Sequence, residues 1–384
     1  MPQLTLQNGF MYKRFSFFLL FLLLTSSVSA QKGKIRVMVD SLRIAGNFPG
    51  LSVALVAKDN TIISLTSGYN NKEKGTSLRS TDRMLQGSVG KTYVAAIALQ
   101  LIKEGKISLD EKVSAYLGHY DWYKRIPNAE SITIRMIMNH TSGVMRYEFK
   151  EQFTKDLTAD PAKIWTPEDL LRYILDEKAS FAAGEGWEYS DTNYILLGMI
   201  MEKVTGMKYY DLLQSRVLQP FQLLNTFPSD SRKLPGLAQG YAGAKNEFGG
   251  KDKMIGEDGL FIINPQFEWT GGGVYSTTED LARWGKQLYE QNVLDSAMLK
   301  LMLDNAVPAK LGRDVKYGLG VIVRQTSMGT AYGHSGFFPG YMTEMLYFPD
   351  HKMCVAVQIN SSDFKTIRGS VLRCLLEIAR IVVS

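Results

Sequence analysis

Cysteine and histidine are both scarce in this chain. Its 384 residues include two cysteines and four histidines. Two cysteines cannot form a disulfide framework, and no pair of histidines has the spacing of an H-E-x-x-H zinc motif. Cys354 falls in a strand-like run and Cys374 in the last helical run. We expect two buried thiols, with a single disulfide as the alternative because an exported protein permits pairing.

A strong charge of either sign is also lacking. The formal net charge is +6, with 21% charged residues. No basic cluster interleaved with aromatic residues occurs, so the composition argues against nucleic acid as a partner.

Long hydrophobic runs are absent except near the start of the chain. Lys13 and Arg14 precede the apolar run Phe15 to Leu24, and Val28-Ser29-Ala30 has the small residues expected before a cleavage point. The pattern predicts a signal peptide over residues 1–30. An uncleaved anchor is the alternative, although the run is shorter than the roughly 20 apolar residues of a spanning helix. We expect a mature protein of residues 31–384, periplasmic or secreted, with no stable membrane span.

The remaining residues have strand-like patterns at both ends and helical patterns between them. Strand signals cover residues 51–57, 61–69, 318–324, 340–348 and 352–359, and helical signals cover 33–45, much of 88–219, 278–291 and 366–382. Residues 220–265 are rich in Gly, Pro and Asn and are expected to form long loops. This order predicts an α/β protein of the α+β type. Its mostly antiparallel sheet, flanked by N- and C-terminal helices, is assigned to residues 31–87 and 266–384, and an inserted all-helical lobe to 88–265.

A serine and a lysine three residues apart are the first chemical signal. Three residues on a helix place the Ser88 hydroxyl and the Lys91 amine on one face, where they can share a proton. Only this S-x-x-K pattern opens a long helical run. The same pattern also occurs twice elsewhere, at Ser29/Lys32 and Ser362/Lys365.

Two further motifs could complete a nucleophilic site. A serine hydroxyl needs a nearby base, and Tyr189 could serve as a phenolate if the charge of Lys91 lowered its pKa. Gly333-His334-Ser335-Gly336 lies between strand-like runs, and Gly336 would permit close approach of a substrate. A G-x-S-x-G nucleophile elbow is excluded because Phe337 stands where the last glycine would be. A triad of Ser88, Asp191 and His334 remains an alternative.

Taken in order, S-x-x-K, Y-x-D and H-x-G resemble the serine β-lactamase and penicillin-binding-protein superfamily. The likeness is greatest to the branch of class C β-lactamases, D-alanyl-D-alanine carboxypeptidases, D-amino-acid amidases and esterases. Longer stretches are also similar to this branch and extend the likeness over nearly all of residues 31–384: MIMNHTSGV, YSDTNYILLG, TGGGVYSTTEDLARW and GHSGFFPGY.

The resemblance implies a role for each matched residue. Ser88 would attack an acyl carbon, while Lys91 and Tyr189 handle its proton, with Tyr189 preferred as the base and later as the leaving-group acid. Backbone amides of Ser88 and Phe337 would form the oxyanion hole. Asp191, His334, Ser335 and Gly336 would contact the substrate, a small molecule or peptide, and no metal or organic cofactor would be needed.

Two positions depart from the family pattern. Asp191 stands where the family has asparagine, and an ionised carboxylate can only accept hydrogen bonds. His334 stands where β-lactamases commonly have lysine, which weakens the positive charge available to a substrate carboxylate. We therefore expect an esterase, amidase, D-aminopeptidase or carboxypeptidase with weak or no β-lactamase activity. A penicillin-binding sensor or a catalytically silent recognition protein is the alternative.

Overall fold

A computed structural model describes residues 32–246, 248 and 251–383. The predicted signal peptide over residues 1–30 lies outside them. No helix among the described residues has both the length and the apolar character to cross a membrane.

A nine-stranded antiparallel sheet forms the centre of the fold. Its strands are β1 (Gly50–Val56), β2 (Ile62–Asn71), β3 (Thr76–Ser77), β7 (Val307–Pro308), β8 (Val315–Tyr317), β9 (Ile322–Thr326), β10 (Gly329–Phe338), β11 (Tyr341–Phe348) and β12 (Met353–Ile359). Their order across the sheet is β3-β2-β1-β12-β11-β10-β9-β8-β7. A smaller sheet joins β4 (Met84–Leu85), β6 (Val274–Ser276) and β5 (Thr226–Pro228), in that order. The predicted fold class is confirmed.

Helices cover both faces of the large sheet and fill the middle of the chain. Helix α1 spans residues 32–46. The others are α2 (Lys91–Lys103), α3 (Val113–Leu117), α4 (Ile134–Met138), α5 (Glu151–Ala159), α6 (Pro167–Leu171), α7 (Asp191–Thr205), α8 (Tyr209–Leu213), α9 (Thr278–Tyr289), α10 (Ser296–Asp304) and α11 (Val371–Val383). Helices α2 and α7 are apolar around most of their circumference and lie buried in the interior, as expected for such sequences.

The strand β1 shows how the sheet divides the core. All seven of its residues are buried, so both faces are covered. Val53 and Leu55 pack with α11, whereas Ala54 and Val56 belong to the larger core around α2 and α9. Cys354 lies in that larger core and Cys374 in the α11 layer, and both are free and buried. The two thiols are therefore separated by the sheet.

Several predicted boundaries need correction. The GHSG motif lies inside β10 rather than between strands, because residues 329–338 pair with β9 and β11. The predicted helix from residue 366 begins only at Val371. Within the predicted helical stretch 88–219, α6 begins with a capping box between Thr166 and Asp169, but its α-helical part ends at Leu171, before a 3-10 turn.

Strand β10 approaches the segment before α2 with backbone against backbone. A methyl group on Gly336 would come within 1.9 Å of the Gln86 carbonyl oxygen. One on Gly87, whose φ is +54°, would come within 2.4 Å of the Phe337 carbonyl oxygen. Only glycine permits this spacing, and at Gly87 it also relieves the strain of a positive φ.

We predict that Gly336→Ala destabilises the protein by about 3 kcal/mol, because the backbone of β10 must move away from Gln86. Gly33→Ala is the control, since Gly33 lies in α1 with nothing within 4 Å of a new methyl group. Its free energy of unfolding should change by about 1 kcal/mol or less. Urea unfolding followed by circular dichroism measures both, and equal stabilities of the two variants would contradict the prediction.

Candidate active site

Ser88 lies in a 3-10 turn, Gly87–Gly90, which leads directly into α2. Gly87, Val89 and Gly90 are buried, whereas the Ser88 side chain is partly exposed. The fold therefore presents one hydroxyl to a cleft at the start of a buried helix.

The Lys91 ammonium is completely buried beneath Ser88. It donates to the Ser88 Oγ at 3.2 Å, to the Gly271 carbonyl oxygen at 2.5 Å and to the Asp191 carboxylate. An ammonium has three N–H donors, and these three partners use all of them. In this arrangement Lys91 is a donor to Ser88, and Asp191 balances its charge.

Asp191 begins α7 and receives two cations. Besides Lys91, the Arg146 Nη2 lies 3.3 Å from its Oδ2. Burial alone would raise the pKa of Asp191, but the charges of Lys91 and Arg146 hold it well below its usual value. Asp191 is thus ionised, and the charges of Lys91 and Arg146 balance its negative charge.

Tyr189 lies just before α7, with its ring centroid 4.8 Å from the Lys91 Nζ. Its buried hydroxyl makes no hydrogen bond of ordinary geometry, although the Ser88 side chain is close enough to favour the phenolate slightly. Burial and the Asp191 charge outweigh that effect and raise the pKa of Tyr189 well above 10.0. The condition under which Tyr189 would be a phenolate, a net lowering of its pKa, is therefore not met, and the phenol is protonated in the resting site.

His334 is almost fully buried within β10. Its Nε2 lies 2.9 Å from the Tyr317 hydroxyl and its Nδ1 lies 2.6 Å from the Ser335 carbonyl oxygen. Burial and the Lys91 charge lower the pKa of His334 to about 3, so the imidazole is neutral near pH 7. Asp191 pairs with Lys91 and Arg146, whereas the His334 ring contacts the Tyr317 hydroxyl and the Ser335 carbonyl oxygen. The alternative triad of Ser88, Asp191 and His334 is therefore not formed.

Ser335 connects the site to a cation that the motifs did not reveal. Its Oγ accepts from the Arg324 Nη2 at 2.8 Å and donates to the Glu344 Oε2 at 2.9 Å. Burial raises the pKa of Glu344 to about 7. The positive charge that His334 does not supply is therefore present one strand away, on β9.

Ser88 stands where two cavities meet. A cleft of about 760 Å³ is lined on one side by Tyr189, Arg324 and Ser335. A second cavity of about 350 Å³ contains Asp191, and Arg146 and Phe337 line both. Ser88 and Phe337, whose amides are the predicted oxyanion donors, lie on the two segments that the glycine contacts bring together.

Two buried glutamates complete the smaller cavity. Glu148 and Glu268 are each 8% exposed, and one carboxyl oxygen of each has no hydrogen-bond partner. The other Glu148 oxygen accepts from the Arg146 Nε at 2.5 Å, while burial and Asp191 raise the pKa of Glu148 well above its usual value. Burial, partly offset by Lys91, raises the pKa of Glu268 to about 8.

The motifs did not reveal five acidic or basic residues around Ser88. These are Arg146, Glu148, Glu268, Arg324 and Glu344. Arg146 and Glu148 follow the SGV stretch closely, which is the one local signal that could have indicated them. Among residues 32–246, 248 and 251–383, no cluster of three or more His, Cys, Asp or Glu side chains could hold a metal ion.

Comparison with known sequences places this chain in a family. The profile of the beta-lactamase family matches residues 35–371. The chain belongs to the beta-lactamase family. This result confirms the resemblance to the serine β-lactamase and penicillin-binding-protein superfamily that the three motifs indicated, and it supports chemistry of the serine hydrolase type.

Individual members of the family are distant from this chain. A penicillin-binding protein of Bacillus subtilis is 26% identical over 313 residues, which cover 80% of this chain and 67% of that protein. Protein flp of Staphylococcus aureus is 28% identical over 63% of this chain, but the match spans only 45% of its own length. The solved D-amino acid amidase of Ochrobactrum anthropi SV3 has a TM-score of 0.79 at 23% identity, covering 92% and 99% of the two chains. At this identity the structural match shows the fold.

The buried Glu268 carboxyl predicts a pH dependence of stability. Its pKa rises from 4.5 to about 8 on folding. The unfolded chain therefore releases this proton first, and the stability from Glu268 is full below pH 4.5 and is lost as the pH rises through about 8. Glu268→Gln should reduce the fall in unfolding free energy between pH 4.5 and 8 by a few kcal/mol, since one pKa unit corresponds to about 1.4 kcal/mol.

Urea unfolding of both proteins across that pH range measures the effect. Glu257→Gln, an exposed glutamate in the 220–265 segment, is the control and should follow the wild type. Parallel curves for wild type and Glu268→Gln would contradict the prediction.

Proposed function

We propose that this protein is an exported serine hydrolase that forms an acyl-enzyme at Ser88 and cleaves an ester, amide or peptide bond. The observation that carries the proposal is the partly exposed Ser88 hydroxyl, held 3.2 Å above a fully buried Lys91 at the meeting point of two cavities. Export rests on the predicted signal peptide of residues 1–30.

We propose that the serine proton travels by a relay through the protonated Tyr189. As the Ser88 Oγ attacks the acyl carbon, its proton passes to the Tyr189 hydroxyl oxygen, which passes its own proton to the leaving group. Charge is conserved because Tyr189 stays neutral, while Asp191, whose pKa is held well below its usual value, stays ionised beside Lys91. Tyr189 is protonated and adjacent, so it retains the role of leaving-group acid.

The oxyanion is proposed to bind the amides of Ser88 and Phe337. Loss of one such donor typically costs about 10²-fold or more in rate. Water then attacks the acyl-enzyme and releases the acid. None of these steps calls on a cofactor.

A penicillin-binding sensor or a silent recognition protein is the second candidate. The observation in its favour is that the three Lys91 donors are all occupied while the Tyr189 phenol is protonated, so no free base faces Ser88 at rest. A sensor would acylate Ser88 and retain the acyl group, whereas an enzyme would release it.

Substrates other than β-lactams fit the smaller cavity better. Asp191 offers only acceptors where the family asparagine could donate to an acylamino carbonyl. Glu148 and Glu268 add two more carboxyl groups on that side of Ser88. The amidase named above acts on D-amino acid amides according to its name, and a D-aminopeptidase, amidase or esterase activity is consistent with these groups.

We predict that Ser88→Ala abolishes both labelling by a fluorophosphonate probe and hydrolysis of p-nitrophenyl acetate. Ser362→Ala is the matched control, because Ser362 belongs to a second S-x-x-K pattern but accepts a hydrogen bond from the Gly340 amide. It should remain labelled. Steady-state turnover distinguishes an enzyme from a sensor, which would show one burst and then stop. Persistent labelling of Ser88→Ala would exclude Ser88 as the nucleophile.

We predict that the wild type hydrolyses nitrocefin far more slowly than short-chain p-nitrophenyl esters, and that Asp191→Asn raises the nitrocefin-to-ester ratio of kcat/KM about tenfold. The new amide can donate to the β-lactam acylamino carbonyl, and one good hydrogen bond corresponds to about this factor. The ratio cancels any common loss from breaking the Lys91 ion pair. Comparable turnover of both substrates by the wild type would contradict the prediction.

A further inference from the structure

The smaller cavity has more carboxyl groups than cations to pair with them. Two cations, Lys91 and Arg146, stand beside the three carboxyl groups of Asp191, Glu148 and Glu268. Lys91 and Arg146 both contact Asp191, and Arg146 also contacts Glu148. Glu268 forms no ion pair with either cation, and its Oε2 has no hydrogen-bond partner. A buried carboxyl oxygen without a partner is costly unless a ligand supplies one.

The backbone around Glu268 is held in an unusual conformation. Glu268 lies in the 3-10 segment Pro265–Gly271, and the next residue, Trp269, has φ 34° and ψ −114°. A non-glycine residue in such a conformation persists only where its surroundings hold it there, and such residues cluster at functional sites. The Glu268 carboxyl is thereby fixed in the wall of the cavity that also contains Ser88.

Much of the rest of that wall is aromatic. Six phenylalanines line the cavity together with Glu148 and Glu268: Phe149, Phe248, Phe267, Phe337, Phe338 and Phe364. At about 350 Å³ the cavity has the size of a small-molecule site, with few polar groups in an apolar surround. Aromatic faces also attract cations.

We infer that this cavity binds an acyl group that carries a protonated amine close to its carbonyl and an apolar side chain, with Glu268 and Glu148 receiving the ammonium. The inference rests on the proposed function and specifies its substrate class. The ammonium would supply the missing partner of Glu268, and the phenylalanines would surround the side chain. An aminoacyl ester or amide with a free amino group has this chemistry, and its acylated or deaminated analogues lack it.

Protonation of the two glutamates fits such a ligand. In the absence of a ligand, burial raises the pKa of Glu268 and keeps it largely neutral at pH 7. The charge of Lys91 opposes this rise in pKa, and the charge of Asp191 adds to it. Glu148 is kept neutral by burial and by Asp191, against Arg146. An entering ammonium would favour the carboxylate forms.

Leucine p-nitroanilide and 4-methylpentanoyl p-nitroanilide are matched probes that differ only in the amine, and the leucyl probe is tested as both enantiomers. We expect the wild type to have a higher kcat/KM for one leucyl enantiomer than for the 4-methylpentanoyl probe. Glu268→Gln should reduce this preference about 10- to 100-fold, the usual effect of losing a buried charged hydrogen bond. Glu257→Gln, on the surface, should keep the wild-type preference. Because the ammonium activates the anilide equally in every variant, only the change in preference reports recognition.

Glu148→Gln is a second variant in case Glu268→Gln does not fold, and near-ultraviolet circular dichroism checks both. Equal kcat/KM for the two probes in the wild type, or an unchanged preference in both glutamine variants, would overturn the inference.

Calorimetry on Ser88→Ala, with leucinamide and 4-methylpentanamide, tests the cavity without turnover. If no ester or anilide is hydrolysed but leucinamide alone binds, the proposed function fails and the inference stands. Equal binding of both amides, or of neither, would overturn the inference.

Discussion

The contact between two backbone segments is the constraint on which the site depends. Gly336 of β10 lies against Gln86, and Gly87 lies against Phe337, at distances that no side chain would permit. The same segment is held from its other side, where a methyl group on Gly90 would come within 2.6 Å of Gly272. Ser88 is thus enclosed between a strand of the sheet and the turn before β6. This contact brings together the two segments that carry Ser88 and Phe337, and the Ser88 side chain lines the cleft.

The charged groups around Ser88 act as one connected system. Asp191 contacts both Lys91 and Arg146, and Arg146 also contacts Glu148. Because each group sets the protonation of the next, a substitution at one position changes the charge seen at the others. The replacement of the family asparagine by Asp191 is therefore compatible with catalysis: the carboxylate receives two cations within its own cluster and does not remain as an unpaired negative charge.

Local patterns predicted the elements that carry the motifs, but not the environment of the motifs. The apolar run after Ser88 predicted α2, and the apolar and alternating runs over residues 51–57 and 61–69 predicted strands β1 and β2, because these signals are contained in neighbouring residues. The protonated Tyr189 was not predictable, since its pKa depends on burial by residues distant in the chain. Lys91 and Gly271 are 180 positions apart, and no spacing rule relates them. Glu268 and Arg324 were missed for the same reason. Strand β10 was missed because its glycines weaken the strand pattern.

The order of strands in the large sheet also has a consequence for biosynthesis. Strand β1 lies between β2 and β12, so one of the first strands made has one of the last as its neighbour. A chain emerging from the ribosome cannot complete the sheet until residues near 359 are available, and such distant pairings fold slowly. Phe337, which lies against Gly87 in the folded protein, is also synthesised long after Gly87. The nascent chain therefore carries Ser88 for most of its synthesis without the surroundings on which the proposed reactivity of this serine depends.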